Sequence, residues 1–100
     1  VLFEYDEVKS ARNERMRGIG FARFSEMDLT ASIASADQRR DYGETRTRLV
    51  GPIDDRLHVA IITYREDRVR VISLRRANER EERGYEEARK QTGHGKSGVD

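Results

Sequence analysis

The period of apolar positions changes halfway along the chain. From Leu57 to Tyr64 bulky apolar side chains occupy both parities, with Leu57, Val59 and Ile61 on one and Ala60, Ile62 and Tyr64 on the other. A strand of that make-up is covered on both faces, which predicts the centre of a sheet. Its neighbours alternate instead. Over Glu44 to Ile53, Thr45, Thr47 and Leu49 oppose Arg46, Arg48 and Val50; over Arg68 to Leu74, Val69 and Val71 alternate with Arg70 and Ile72. These are the marks of half-exposed strands. Asp54-Asp55 and Glu66-Asp67 connect the three runs, and connections so short predict a three-stranded antiparallel meander with Leu57–Tyr64 in the middle.

Upstream, Leu2 to Tyr5 reads as a short strand, and Asp6 is a good N-cap for a helix running to about Arg17, where Gly18 supplies the stop. The apolar positions of that helix, Val8, Ala11 and Met16, are sparse. A second short helix follows, with Phe21, Phe24 and Met27 three apart and Leu29 beside them as core. Thr30 to Gly43 has almost no bulky apolar residue and reads as a long loop. Ala77 to about Lys90 predicts a final helix, opened by Asn78 with Glu81 three residues on, the spacing of a capping box. Only Tyr85 and Ala88 are apolar in it, while Glu79–Arg83 and Glu86–Lys90 are stabilising pairs four apart. Such a helix gains little from docking on its own sheet and is held by pairs and caps, or by a partner protein. The Gly-rich tail, 91–100, is expected to be disordered. The expectation is an α+β domain over 1–90, a small antiparallel sheet of N-terminal strand plus meander with two N-terminal helices and one C-terminal helix.

One hundred residues suit a single core and a single domain. The absence of cysteine excludes disulfides, thiolate nucleophiles and Cys-based zinc sites. No stretch approaches a membrane span and no signal-peptide core is visible, so a cytoplasmic protein is expected. Charged residues make up 39% of the chain, but 20 basic against 19 acidic leave a net charge of +1, so bulk charge gives no argument for nucleic acid. The kind of base changes the picture: 17 arginines stand against three lysines. Arginine grips phosphate through a planar fork that keeps its proton. A GC-rich genome raises arginine everywhere, so only the placement of particular arginines carries function. The acidic pairs Asp54-Asp55 and Glu66-Asp67 read more simply as turns than as a metal site, and neither metal nor cofactor is expected. His58, at a strand start near solvent, is given no role.

The ordered set Phe3-Glu4-Tyr5-Asp6 with Lys9, Asn13, Gly18-Ile19-Gly20-Phe21, Glu44-Thr45-Arg46 and Gly51 precedes a stronger stretch. That stretch is Asp67-Arg68-Val69-Arg70-Val71-Ile72-Ser73, Arg75-Arg76-Ala77-Asn78, Glu81 and Tyr85. Over about residues 2 to 88 this resembles the BrnT toxins of the wider RelE-like ribonuclease group. The resemblance implies a RelE-like fold and a bacterial toxin that cleaves RNA. It also implies neutralisation by a BrnA-like antitoxin, through which alone DNA would be reached. The family usually has Lys-His before the glycine matching Gly18, where this chain has Met16-Arg17, and Ala-Thr where it has Ala77-Asn78.

Metal-free RNA cleavage needs a base for the ribose 2′-hydroxyl, positive charge for the phosphorane, and an acid for the leaving 5′-oxygen. Glu81 is the candidate base, Tyr85 a donor one turn later, Arg70 with Arg76 the phosphate clamp and Arg46 an addition to it. Lys9, Arg48 and Arg75 are candidate RNA-binding residues. Each has a plainer role open to it. Glu81 caps a helix, Tyr85 anchors one, Arg46 and Arg48 solvate a strand face, Lys9 pairs across the first helix, and Arg70 needs either an exit or a partner beside its apolar neighbours. A protein-binding module without activity, its arginine face gripping an acidic antitoxin segment, is the competing reading. No helix-turn-helix or ribbon-helix-helix pattern speaks for direct DNA binding.

Overall fold

The structure is a computed structural model that describes the backbone of residues 2–97 and the side chains of 2–91. Strand β1 (Phe3–Tyr5) leads into helix α1 (Glu7–Arg17), two 3₁₀ segments (Phe21–Glu26 and Leu29–Ala31), strands β2 (Ile33–Ala36), β3 (Arg46–Ile53), β4 (Arg56–Arg65) and β5 (Arg68–Arg76), and helix α2 (Glu79–Ser97). The strand order is β1-β5-β4-β3-β2. The doubly apolar strand is therefore central, as its pattern requires, and the meander pairs antiparallel through turns whose first residues, Asp54 and Glu66, take positive φ.

Four expectations are corrected. The sheet is mixed, because β1 runs parallel to β5 with Glu4 opposite Arg70. A three-residue edge strand carries no signal of its direction; the helix that follows it sets that. The stretch expected as one long loop contains a 3₁₀ turn and the edge strand β2, which pairs with β3 from Ile33↔Val50 to Ala36↔Thr47. Its residues after Ile33 are small and exposed, so backbone pairing rather than a buried stripe makes it a strand. Leu29 is 42% exposed and lies outside the core, whereas His58 is buried with Nδ1 2.9 Å from the Arg56 carbonyl oxygen. Helix α2 is described to Ser97; residues 98–100 of the expected tail lie outside the described residues.

One face of the sheet carries the core. Leu49, Ile53, Ala60, Ile62, Val71 and Leu74 pack beneath Ile19, Phe21, Phe24 and Met27, and Phe3 and Tyr5 meet Phe24 and Phe21 edge to face. Helix α1 buries no residue, which its sparse apolar pattern explains; polar contacts fasten it instead. The Asn13 amide donates to the carbonyls of Ile19 and Leu74 at 2.7 Å each, and Ser10 Oγ accepts from the Phe21 amide.

Gly51 sits where β3 passes the residue leading into β2. A Cβ there would collide with Ser32 Oγ and lie 2.8 Å from Ser32 Cβ and 3.2 Å from its Cα, so the backbone itself must move. Gly51→Ala is expected to destabilise the fold by about 1–3 kcal/mol, the usual cost of overpacking. Urea unfolding checks this, and an unchanged midpoint would refute the close approach.

Candidate anion-binding face

The opposite face of the sheet is built by register. Across it run Ile33, Val50, Val59 and Arg75, then Ser35, Arg48, Ile61 and Ser73, then Arg46, Thr63, Arg70 and Glu4. A bulge makes this possible. Ile61 pairs with Ser73 but Ile62 with Val71, leaving Ile72 as the extra residue. Strict alternation along β5 would place Arg70 with Leu74 and Arg76, opposite Arg75. The extra residue resets the parity, so Arg70 and Arg75 share the outer face while Val69, Val71 and Leu74 stay on the core side. Arg76, beyond Leu74 and opposite His58, falls on the core-side parity at the exposed strand end.

The floor of the outer face is dry, for Val59, Ile61 and Thr63 are at most 6% exposed. Guanidiniums cover it. Arg75 makes a two-pronged bond to Glu81 at 2.8 Å for both prongs, and Arg48 Nη2 donates to the same carboxylate at 3.1 Å. Glu81 also caps α2: its Oε1 accepts from the Asn78 amide at 2.9 Å, and Asn78 Oδ1 accepts from the Glu81 amide at 2.8 Å. The capping role expected of Glu81 is thus present in full, and the same carboxylate clasps two strands. Beside it, Ile33, Arg48, Val50, Glu81, Gly84 and Tyr85 line a cleft between the sheet and α2. Tyr85 Oη donates to the Ala31 carbonyl at 2.6 Å, so its hydroxyl proton is engaged and its ring anchors the helix.

Other candidates lie further out. Arg70 Nη1 donates to Glu4 at 2.8 Å, the pairing that a half-buried guanidinium on this face needs. Arg46 bonds Glu44 at 3.2 Å and stacks on the Tyr42 ring at 4.0 Å, flanking Thr63 from the side away from Arg70. Lys9 is exposed in the first turn of α1; the Arg76 carbonyl accepts from Arg75 Nη1 at 3.2 Å, but no described side-chain contact joins Lys9, Arg76, Met16 or Arg17 to the Glu81 group. The structure therefore unites Arg48, Arg75 and Glu81, places Tyr85 alongside, sets Arg46 and Arg70 on the same face, and separates Lys9 and Arg76 from them. It also adds a residue the sequence reading passed over. Arg39, from the β2–β3 loop, lines a cavity of about 140 Å³ with Arg48, Arg75, Ser73, Val59, Ile61 and Glu81. Nothing in the string Asp37-Gln38-Arg39-Arg40 distinguishes Arg39, since its position depends on β2, which small residues conceal.

The Arg75 guanidinium, joined by the Asn78 amide and Arg48, holds the Glu81 carboxyl down at about 2. A folded-state value below the ordinary carboxylate value of about 4.3 means that the linkage stabilises the fold above that pH. The contribution fades as pH falls from there towards 2. Discounted for the third of each arginine that faces solvent, it amounts to about 2 kcal/mol. Glu81→Gln should unfold about that much more easily at pH 6, with the gap to wild type closing only as the pH approaches 2. A gap constant across that range in urea titrations would show that the clasp is not ionic.

A two-layer α+β domain with arginines spread on the sheet face away from its core defines a small protein suited to gripping a polyanion. Over residues 5–81 the chain matches the family model described as the ribonuclease toxin, BrnT, of type II toxin-antitoxin systems, and it belongs to that family. No curated protein and no solved structure matches it significantly. The family implies an RNA target and an antitoxin partner. Among the described residues no helix is long and apolar enough to cross a membrane, and no three His, Asp or Glu side chains gather to hold a metal ion.

Proposed function

We propose that the outer sheet face cuts RNA without a metal ion, the ribose 2′-hydroxyl attacking its neighbouring phosphorus, and that the toxin halts translation until a BrnA-like antitoxin covers it. The observation that carries this is the pair Arg48 and Arg75, fixed side by side over an apolar floor by one carboxylate. Donors aimed in advance at an anion, where water is thinned, stabilise developing charge without reorganising as the reaction proceeds. Arg46, two residues from Arg48 on β3, and Arg70, five residues from Arg75 on β5, extend the same face for the flanking backbone.

Glu81 in the free protein is a weak base, because two guanidiniums hold its proton affinity down. Its first role is to position them. A phosphate drawing on the same guanidiniums loosens that hold and lifts the carboxyl towards its ordinary value, which suits it to take the 2′-hydroxyl proton. Tyr85, engaged with Ala31 one turn on, then serves chiefly to fasten α2 and with it Glu81. This reading leaves Arg76 and Lys9 outside the site.

Incubating the purified toxin with single-stranded RNA in EDTA tests the proposal. Cleavage that disappears in an Arg48→Ala, Arg75→Ala double variant supports it. The competing reading, a face that only binds the antitoxin, draws on the same Glu81 clasp, since a carboxylate already occupies the arginines. It prevails if clean wild-type protein binds its antitoxin at micromolar concentration yet cuts no RNA.

A further inference from the structure

Beyond the clasp, the outer face keeps a smaller cavity that Glu81 does not fill. Its volume is about 140 Å³, and its wall is made by Arg39 from the β2–β3 loop, Arg48 from β3, and Ser73 and Arg75 from β5, over Val59 and Ile61. Three arginines from three elements thus line it, and Glu81, at the α2 side, is the one carboxylate in the lining. Arg39 is close enough to Arg75 to work against its charge. Two cations held in that way on a dry floor, with a carboxylate to one side, favour an anion between them.

The loop is built to deliver Arg39, because Asp37 is an anchor shielded from solvent. Its carboxylate is 1% exposed and takes Arg39 Nε at 2.8 Å and Nη2 at 3.0 Å, while the Asp37 amide bonds the Arg46 carbonyl. Those bonds use two of the five N–H donors of Arg39 and fix its fork, with Tyr42 beside the pair. The hydroxyl of Ser73 makes no hydrogen bond among the described residues and lies in the same lining.

We propose that this cavity seats one phosphate group of the RNA, with Arg39 as its third guanidinium. Donors arriving from the loop, β3 and β5 suit a tetrahedral anion, whose oxygens point in different directions; a planar carboxylate is already met in the plane by Arg75. The seat adjoins the Arg48–Arg75 pair, so a bound phosphate there fixes the strand's register relative to the cut. The proposal rests on the RNA-cleaving reading for its ligand, but phosphate binding can be measured without cleavage.

The probe is a short 2′-O-methyl oligonucleotide, which cannot be cut, carrying either a 3′-phosphate or a 3′-hydroxyl, titrated into the full-length toxin by calorimetry. The wild type should prefer the phosphate form by about tenfold or more, the scale of one charge-assisted hydrogen-bonded contact. Arg39→Ala should remove that preference and Arg39→Lys restore part of it. Since Arg39→Ala strands a buried Asp37, the paired variant D37N/R39A keeps the comparison meaningful if the single one unfolds. Equal affinities of wild type for the two oligonucleotides would overturn the proposal, as would a phosphate preference that survives in D37N/R39A. An acidic peptide that loses binding on Arg39 replacement, while the phosphate has no effect, would overturn it in favour of a protein partner. Should the toxin cut no RNA while the phosphate preference depends on Arg39, the seat stands and the ribonuclease reading falls.

Discussion

Arg75→Ala is expected to slow RNA cleavage by about 10²–10³-fold, the loss typical of removing one preorganised donor to a charge-bearing transition state. Arg75 is singled out over the other arginines because its fork is aligned by both prongs of Glu81, and because its neighbour across β4 is Val50, reached over the buried Val59. Low local polarity raises the worth of each charge there. Glu81 keeps Arg48 and the Asn78 amide when Arg75 is lost, so the fold should survive. Arg70→Ala should reduce the rate less, since Arg70 lies two rows along the sheet from Arg75, and Arg76→Ala should leave it near wild type. Single-turnover rates with thermal unfolding run beside them decide the matter. A full rate in Arg75→Ala, or a greater loss in Arg76→Ala, would move the chemistry to the other end of β5.

Arg70 and Arg76, expected from the sequence to form one clamp, lie on opposite sheet faces for a reason internal to β5. Alternation counts residues, and one bulged residue reverses every assignment beyond it. Ile72 gives no sign of being that residue, since an isoleucine is as natural in a regular strand. The centre of the sheet was legible because Leu57 to Tyr64 is apolar on both parities, and both turns were legible from their paired acids. The capping box of Asn78 and Glu81 was legible too, because it is local. What the capping box did not disclose is that the same glutamate reaches Arg48, 33 residues away in sequence. Contacts of that range depend on β3 and β5 lying one strand apart on either side of β4. Likewise β2 has only Ile33 to announce it, and with β2 hidden Arg39 could not be placed. Asn13 and Gly51 were noticed through the family resemblance; the structure supplies their physical reasons, a double carbonyl clasp and a close backbone approach.

Replacing the ribose 2′-hydroxyl at the cut site by hydrogen should abolish cleavage altogether, the largest effect expected of any single change. In the proposed reaction that oxygen is the nucleophile. Its proton passes to Glu81, its new bond to phosphorus closes a ring, and the 5′-oxygen leaves with a proton from solvent or a nearby donor. The products are a 2′,3′-cyclic phosphate and a 5′-hydroxyl, with no water consumed in the first step. The alternative, a metal-bound hydroxide as attacker, would leave deoxy substrates cleavable and would need a cation to lower the water's pKa. Three observations on one substrate separate the routes: the 2′-deoxy rate, the rate in excess EDTA, and the end groups read by mass spectrometry. An inert deoxy substrate, an EDTA-resistant rate and a cyclic phosphate belong together. If Mg²⁺ is required and the 3′-product carries a linear phosphate from the start, the arginine face is a binding surface, and the attacking group must be sought among the acidic turns Asp54-Asp55 and Glu66-Asp67. If the products are right but Glu81→Gln retains the full rate across pH 5–8, the proton leaves by another route, and Glu81 is a positioning residue alone.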